Sequence, residues 1–319
     1  MESAMIVAQQ SVIMLILLAV GYGLYKGKLI GDEASKQLSD IAITIINPIV
    51  IFNAYQTDFD HEKLRGLIIA LVLSFAAQGL LIGAAAIIVR STRKNFEIER
   101  FALGYTNCAF MGIPLVQATF GPEGVFYLTA FITAFNVFMW THGVILMSGG
   151  DKKTAKQRAR ELLKILFSPA IIAVILGLLF FFTGFRLPDI IQTPLDYLGS
   201  MNTPLAMIVS GATIAKAGLL GCFNNKRIYF LQLFKLIIVP ILLAALFVPA
   251  EFCGVDSTIV STILIAASAP TASSTIMFSY KYGKDEKYAS NHFALSTIAS
   301  MITVPLILAT SGIMTNLIF

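Results

Sequence analysis

The chain has 319 residues, of which 57% are hydrophobic and 13% charged, and its mean hydropathy is +0.80. Soluble domains carry about 45–50% apolar and about 25% charged residues, so this composition excludes a water-soluble protein and makes lipid the main solvent. The formal net charge of +5 does not signal nucleic acid, because the basic residues sit in short loops between apolar runs, where membrane topology accounts for them.

A membrane-spanning helix needs about 20 mostly apolar residues. Apolar runs bounded by charge or turn residues predict ten spans: 5–25, 38–56, 66–89, 101–119, 124–147, 162–183, 192–215, 228–248, 257–280 and 288–311. The first run is a span and not a signal peptide: Glu2 is the only charge before Lys26, and Met5 to Leu24 is too long for an h-region. Span 2 contains INPIVIFN (46–53), with Asn47, Pro48 and Asn53. Span 4 reads TNCAFMGIPLVQATFG (106–121), and Gly112 and Pro114 are expected to break it near mid-membrane. The basic segment 149–164, GGDKKTAKQRARELLK, separates the halves. It sets the domains as 1–148, a linker over 149–161, and 162–319. Span 7 supplies MNTPLAMIVSG (201–211), with Asn202, Thr203 and Pro204. Lys235 lies about two turns into span 8 and is read as snorkelling to the inner surface. Span 9 reads AASAPTASSTIMFSYKYG (266–283), where Pro270 is followed by Thr271, Ser273, Ser274 and Thr275.

The polar inventory points away from chemistry. Cys108, Cys222 and Cys253 are far apart and suggest neither a disulfide framework nor zinc. No Asp or Glu falls clearly in the middle of a span; Asp40 and Asp196 lie near helix ends. His142 and His292 are read as structural. There is no H-E-x-x-H, P-loop or dinucleotide fingerprint. The chain is therefore expected not to be an enzyme, with no catalytic residue, metal or cofactor.

Of the 23 Lys and Arg, 20 fall in or beside the odd-numbered loops and only Lys63, Arg65 and Arg186 in the even ones. That alternation places the odd loops in the cytoplasm and both termini outside, in the inner or plasma membrane. Two copies of a unit with an odd number of spans must insert with opposite topology. Pro48 and Pro114 are 66 residues apart, as are Pro204 and Pro270, which gives an offset of 156 between copies. The same offset maps Gly21 onto Gly177 and Asn47 onto Thr203. The predicted fold is an all-α membrane protein with two inverted five-helix repeats and broken, crossed spans 4 and 9.

A broken span is tolerated in hydrocarbon only where protein or a water-filled cavity satisfies the freed backbone. Matched breaks in two halves mark a binding site. A half-helix starting near Pro114 would present unpaired N–H groups and a positive dipole end, and span 9 would present another from the opposite side. Together they would hold a carboxylate without a fixed positive side chain. Asn47, Asn53, Asn107, Met111, Gly112, Pro114, Asn202, Thr203, Pro270, Thr271, Ser273 and Ser274 are the predicted substrate-binding set. Pro48, Pro114, Pro204 and Pro270 are the predicted helix breakers.

The TNCAFMGIPL segment resembles the N-x-x-x-M-G-I-P signature of the auxin efflux carrier family, with Asn107, Met111, Gly112, Ile113 and Pro114 in place. LSDIAITIINPIVIFNAY in span 2 and ASAPTASSTIMFSYKYG in span 9 are also similar to that family. The chain looks like its short prokaryotic branch of malate, malonate or auxin-like permeases. The resemblance implies a fold like that of sodium/proton antiporters and bile-acid symporters, with a scaffold of spans 1, 2, 6 and 7 and a transport bundle carrying spans 4 and 9. It also implies homodimers, and contact of Asn107 with a substrate carboxylate. Ala109 and Phe110 depart from the plant pattern and argue against an aromatic substrate. The expected function is secondary transport of small organic anions, such as dicarboxylates or auxin-like carboxylates, by elevator-type alternating access. The partners are the substrate, the bilayer and a second copy, with no nucleic acid. Alternatives are a sodium-coupled organic-anion or bile-acid-type symporter and a non-transporting anion sensor.

Overall fold

The computed structural model describes residues 2–149, 167–218 and 225–318. Residues 150–161 of the predicted linker, the start of predicted span 6 at 162–166, and Cys222 lie outside them. Among the described residues the secondary structure is helical throughout, apart from one isolated backbone bridge. Helix α1 is Glu2–Lys26, α2 is Asp32–Ile41, α3 is Asn47–Ala54, α4 is His61–Ile88 and α5 is Phe96–Gly104. Then come α6, Ile113–Phe138; α7, Val144–Met147; α8, Pro169–Thr183; α9, Asp189–Ser200; and α10, Asn202–Ala217. The chain ends with α11, Lys226–Leu233; α12, Val239–Phe247; α13, Ser257–Ser268; α14, Ser274–Lys281; and α15, Glu286–Ile318.

Six helical stretches among the described residues are long and apolar enough to cross a bilayer: Ser3–Lys26, Asp32–Ala54, His61–Ile88, Cys108–Met147, Lys226–Cys253 and Glu286–Thr315. Pro169–Thr183 and Ser257–Ser268 are apolar but shorter. The protein is thus an all-helical, multi-pass membrane protein. Helix α1 shows why lipid is the solvent. Val7 and Met14 are buried against the protein while Met5 and Ile16 on the other face are exposed, so the helix is apolar all round. Several helices start at a loop carboxylate or amide. Asp60 accepts from the Glu62 N–H, Asn225 from Arg227 and Asp256 from Thr258.

The prolines act differently from expectation. Pro48, Pro114 and Pro240 each stand second in an α-helix that directly follows a five-residue π-helical turn, at Ala42–Ile46, Cys108–Gly112 and Phe234–Ile238. A proline lacks the N–H and its ring collides with the carbonyl four residues back. The wider turn swings that carbonyl aside, so the helix continues. Pro48 and Pro114 therefore do not interrupt their helices. Pro204 is the third residue of α10, after a joint at Met201, and only Pro270 of the predicted breakers lies in unwound chain. The reversal between predicted spans 4 and 5 is instead made at Gly121 (φ 62°, ψ −155°), a conformation open to a residue without Cβ.

Close packing depends on two glycine contacts. A Cβ on Gly21 would overlap the Ile208 carbonyl, and one on Gly211 the Leu18 carbonyl, so α1 and α10 touch backbone to backbone. Gly177 of α8 makes room for the Tyr55 ring at the end of α3. Tyr55 in turn meets Phe126 edge-on at 5.0 Å, and its hydroxyl lies 2.6 Å from that of Thr129. Ion pairs tie the helix ends: Arg186 with Asp58, Lys216 with Asp32, Arg227 with Glu99, and Lys284 with Glu97.

Candidate functional site: a crossing of two unwound helices beside a polar cavity

Helix α5 stops at Gly104 and α13 at Ser268. Beyond them the chain is extended, with Tyr105 at φ −121° and ψ 130°. Thr106 and Thr271 pair as an antiparallel bridge. The Asn107 N–H donates to the Pro270 carbonyl at 2.8 Å, and the Ala272 N–H donates to the Tyr105 carbonyl at 3.1 Å. Each unwound segment thus supplies the hydrogen bonds the other lacks, which is what buried irregular backbone requires. In the first half, the expected break at Gly112 and Pro114 is misplaced. The interruption ends at Asn107, seven residues before Pro114, because the π turn absorbs the proline and the Pro270 segment satisfies the backbone further up.

The open carbonyl end of α5 is closed by side chains. Thr271 Oγ1 donates to Ala102 O at 3.2 Å and Gln78 Nε2 to Gly104 O at 2.7 Å. Lys235 Nζ donates to both Leu103 O and Tyr105 O at 3.1 Å. Lys235 is 1% exposed, so it does not snorkel as expected. It points inward because the Leu103 and Tyr105 carbonyls at the helix end offer it partners and a negative dipole terminus.

New helical chain begins at the crossing on both sides. Asn107 precedes the π turn, and the first internal bond there is Met111 N–H to Asn107 O at 3.0 Å. The N–H groups of the first turn lie ahead of that bond, at the positive end of the dipole. Ser273 and Ser274 open α14. Asn107 is buried and its Nδ2 has no partner, and neither do Thr106 Oγ1, Ser268 Oγ, Ser274 Oγ and Thr275 Oγ1.

A cavity of about 680 Å³ lies next along the chain, within the size range of small-molecule sites. Asn53, Ile113, Pro114, Gln117, Asn202 and Thr203 are among its lining residues. Asn202 is 3% exposed and neither Oδ1 nor Nδ2 has a partner. Two charged groups in the wall are already engaged. Asp196 accepts from Asn53 Nδ2 at 2.9 Å and Gln192 Nε2 at 2.8 Å. Arg186 donates to Gln56 O at 2.6 Å and pairs with Asp58 at 2.7 Å.

The predicted site residues therefore fall in two adjoining groups. Asn53, Pro114, Asn202 and Thr203 line the cavity, while Asn107, Pro270 and Thr271 form the crossing. Met111 and Gly112 are buried in the π turn that leads from the crossing to Ile113 and Pro114. Asn47 is buried at the start of α3, with Oδ1 unpartnered, and is not part of the cavity wall. Pro48 and Pro204 shape their helices without lining it.

Sequence reasoning missed the groups that hold the crossing. Lys235 was discounted although it is the single charge in LQLFKLIIVP, and Gln78 of α4 carried no motif. Glu99 is 4% exposed and held by three partners: Arg227 Nη2 at 2.8 Å, Arg227 Nε at 3.3 Å and the Tyr288 hydroxyl at 2.9 Å. The two histidines also have neighbours. His142 Nδ1 is 3.0 Å from the Tyr105 hydroxyl, and His292 Nδ1 is 3.0 Å from Gln232 Nε2.

The comparisons point to a family of membrane transporters. The profile of the membrane transport protein family matches residues 6–308. An uncharacterized transporter of Methanocaldococcus jannaschii is 26% identical over 309 residues, covering 92% of this chain and 95% of the relative. Another uncharacterized transporter, from Methanothermobacter thermautotrophicus, is 27% identical over 301 residues, 92% of this chain and 94% of its own. A protein of Rhizobium meliloti named "Putative malonate transporter" is 24% identical over 278 residues, 85% of each chain. A match over nearly the whole length, on a helical bundle whose broken helices cross beside a polar cavity, leads to one assignment: the chain belongs to the membrane transport protein family, that of the auxin efflux carriers.

Proposed function

We propose that the chain is a secondary transporter of small organic anions such as dicarboxylates, working by elevator-type alternating access. The observation that carries this reading is the crossing: two unwound segments paired at Thr106 and Thr271, with helix N-termini and an unpartnered Asn107 amide at the same place. Helix N-termini favour anions. The adjoining cavity adds the free amide of Asn202 and the unpartnered Nε2 of Gln56; of its two acidic residues, Asp189 and Asp196, the second is held by two amide donors. The relative named for malonate transport supports a dicarboxylate in particular.

The architecture of the proposal is ten spans in two inverted repeats, 1–148 and 162–319. Spans 4 and 9 are each two half-helices, α5 with the first part of α6, and α13 with α14. The packing of the first helix of each half supports the repeat. Gly21 of α1 packs on α10, and Gly177, 156 residues on, packs on Tyr55 beside α3. The ion pairs among the described residues support the sorting of the loops to two faces. Each joins two odd-numbered loops or two even-numbered ones, the arrangement expected if odd loops share one face and even loops the other; the Lys and Arg excess in the odd loops assigns theirs to the cytoplasm and the even ones to the outside of the cell membrane. A scaffold-mediated homodimer completes the proposal.

The test is uptake of labelled malonate and malate into proteoliposomes. The wild type accumulates at least one of them, and Asn202→Ala and Asn107→Ala each lower uptake at least about tenfold, as loss of a buried hydrogen bond to a charged ligand does. Uptake indifferent to both substitutions overturns the site, and binding without flux overturns transport in favour of a sensor.

A further inference from the structure

We propose that Lys235 is a tethered cation that takes the place of a bound metal ion at the crossing, so that the protein holds its two unwound segments together without sodium. The inference rests on the transporter reading for its consequence in flux, but its geometry stands alone. Half-helix C-termini and unwound carbonyls are the places where carriers with broken helices bind their coupling cations. Here that place is taken. The ammonium of Lys235, 1% exposed, sits 3.1 Å from Leu103 O and 3.1 Å from Tyr105 O, the last carbonyls of α5 and of the turn into the crossing. Among the described residues no carboxylate lies within ion-pair distance of it. The negative end of the α5 dipole and the Tyr105 carbonyl face its charge.

The surroundings are rich in oxygen. Thr106 Oγ1, next in the chain to Tyr105, and Gln78 Oε1, whose amide nitrogen holds Gly104 O, are both buried without a partner. The two carbonyls that hold the ammonium are the donor type that hard cations select, and these two side-chain oxygens belong to residues beside them. A carrier that keeps its cation on a side chain has a further property. The ammonium is tethered to the chain and cannot leave with the substrate, so on this proposal the crossing needs no sodium to favour an anion.

Removing the ammonium leaves an oxygen-lined gap that a free cation can enter. The experiment uses purified full-length protein in detergent, melted in sodium chloride or choline chloride at equal ionic strength, with no substrate. The wild type melts at the same temperature in both. Lys235→Ala melts lower in choline and regains about 3 °C or more in sodium, the scale of shift that ligand binding to the folded state produces. Lys235→Gln shows the same sodium response and Lys235→Arg, which keeps the charge, shows none; these two decide the matter if Lys235→Ala does not fold. A wild type stabilised by sodium over choline overturns the proposal, as do neutral variants that sodium leaves unchanged, the result of a purely structural hydrogen bond. Malonate uptake measured in both salts then extends the test to flux. Failure to transport any organic acid removes the transport reading, while the substrate-free melting result judges Lys235 separately.

Discussion

Glycine is placed where two helices share a surface without side chains between them. Gly21 and Gly211 let α1 and α10 meet at their backbones, and no rotamer change relieves an added Cβ because its neighbours are main-chain atoms. Gly21→Ala is expected to cost about 1–3 kcal/mol, the range for overpacking a tight contact. Gly23, two residues along, has nothing within 4 Å of its Cβ position. Gly23→Ala is expected to be neutral or stabilising by up to about 1 kcal/mol through helix propensity. Thermal melting of both variants in detergent checks the contrast, and equal destabilisation would refute the backbone contact. The same scale explains what was legible in the sequence. Pro270 announced its break because a proline followed by four hydroxyl residues has no comfortable place in lipid. The break at Tyr105–Asn107 carries no such mark. Tyr, Thr and Asn are unwound there because the Pro270 segment lies alongside, and a partner distant in sequence leaves no local signal. Lys235 was legible as an oddity but not as a contact, since depth in a span does not tell which way a side chain points.

At the scale of elements, short helices at a broken span need anchoring at their outer ends as well as at the crossing. Helix α5 has nine residues. Isolated helices of that length are marginal, so packing and end contacts must hold it. Glu97 pairs with Lys284 at 2.8 Å, and Glu99 forms a forked contact with Arg227. Arg227 is 21% exposed at its side chain and Glu99 6%, so the pair is largely shielded from solvent. Removing one partner strands a charge: Arg227→Gln is expected to cost about 2–3 kcal/mol, softened by the Tyr288 hydroxyl that still reaches Glu99. The double variant Glu99→Gln with Arg227→Gln is expected to cost less than Arg227→Gln alone. A double-mutant cycle by thermal melting reads the coupling, and strict additivity would count against it. The prolines teach the complementary lesson. Helix-interior proline reads as a break, yet at Pro48, Pro114 and Pro240 one π turn satisfies the ring and the helix runs on. Of the four prolines in the 66-residue spacing, Pro48 and Pro114 thus follow π turns, Pro204 sits in the first turn of α10, and only Pro270 lies in unwound chain.

For the whole molecule, composition and hydropathy sufficed to establish a helical, multi-pass membrane protein, because lipid imposes helices on any chain this apolar. The arrangement of the helices was legible only where charge or glycine reported it. The distribution of Lys and Arg predicts two faces, and the ion pairs respect the division. In a background lacking Cys108, Cys222 and Cys253, Glu62→Cys is expected to react with a membrane-impermeant maleimide on intact cells. Thr92→Cys, exposed in the next loop, is expected to react only after permeabilisation. Labelling of both from one side would overturn the predicted orientation.

The pairing of Thr106 with Thr271 has a mechanical meaning. Two hydrogen bonds fasten four helical pieces at one point, away from solvent that would compete for them. Sliding α5 past α13 would require both bonds to open together in a setting where neither loose end finds water. The pieces behave as two crossed beams riveted at the middle. A push on any of their four ends is passed to the other three, so whatever sits at the rivet travels with the whole frame and does not slip through it.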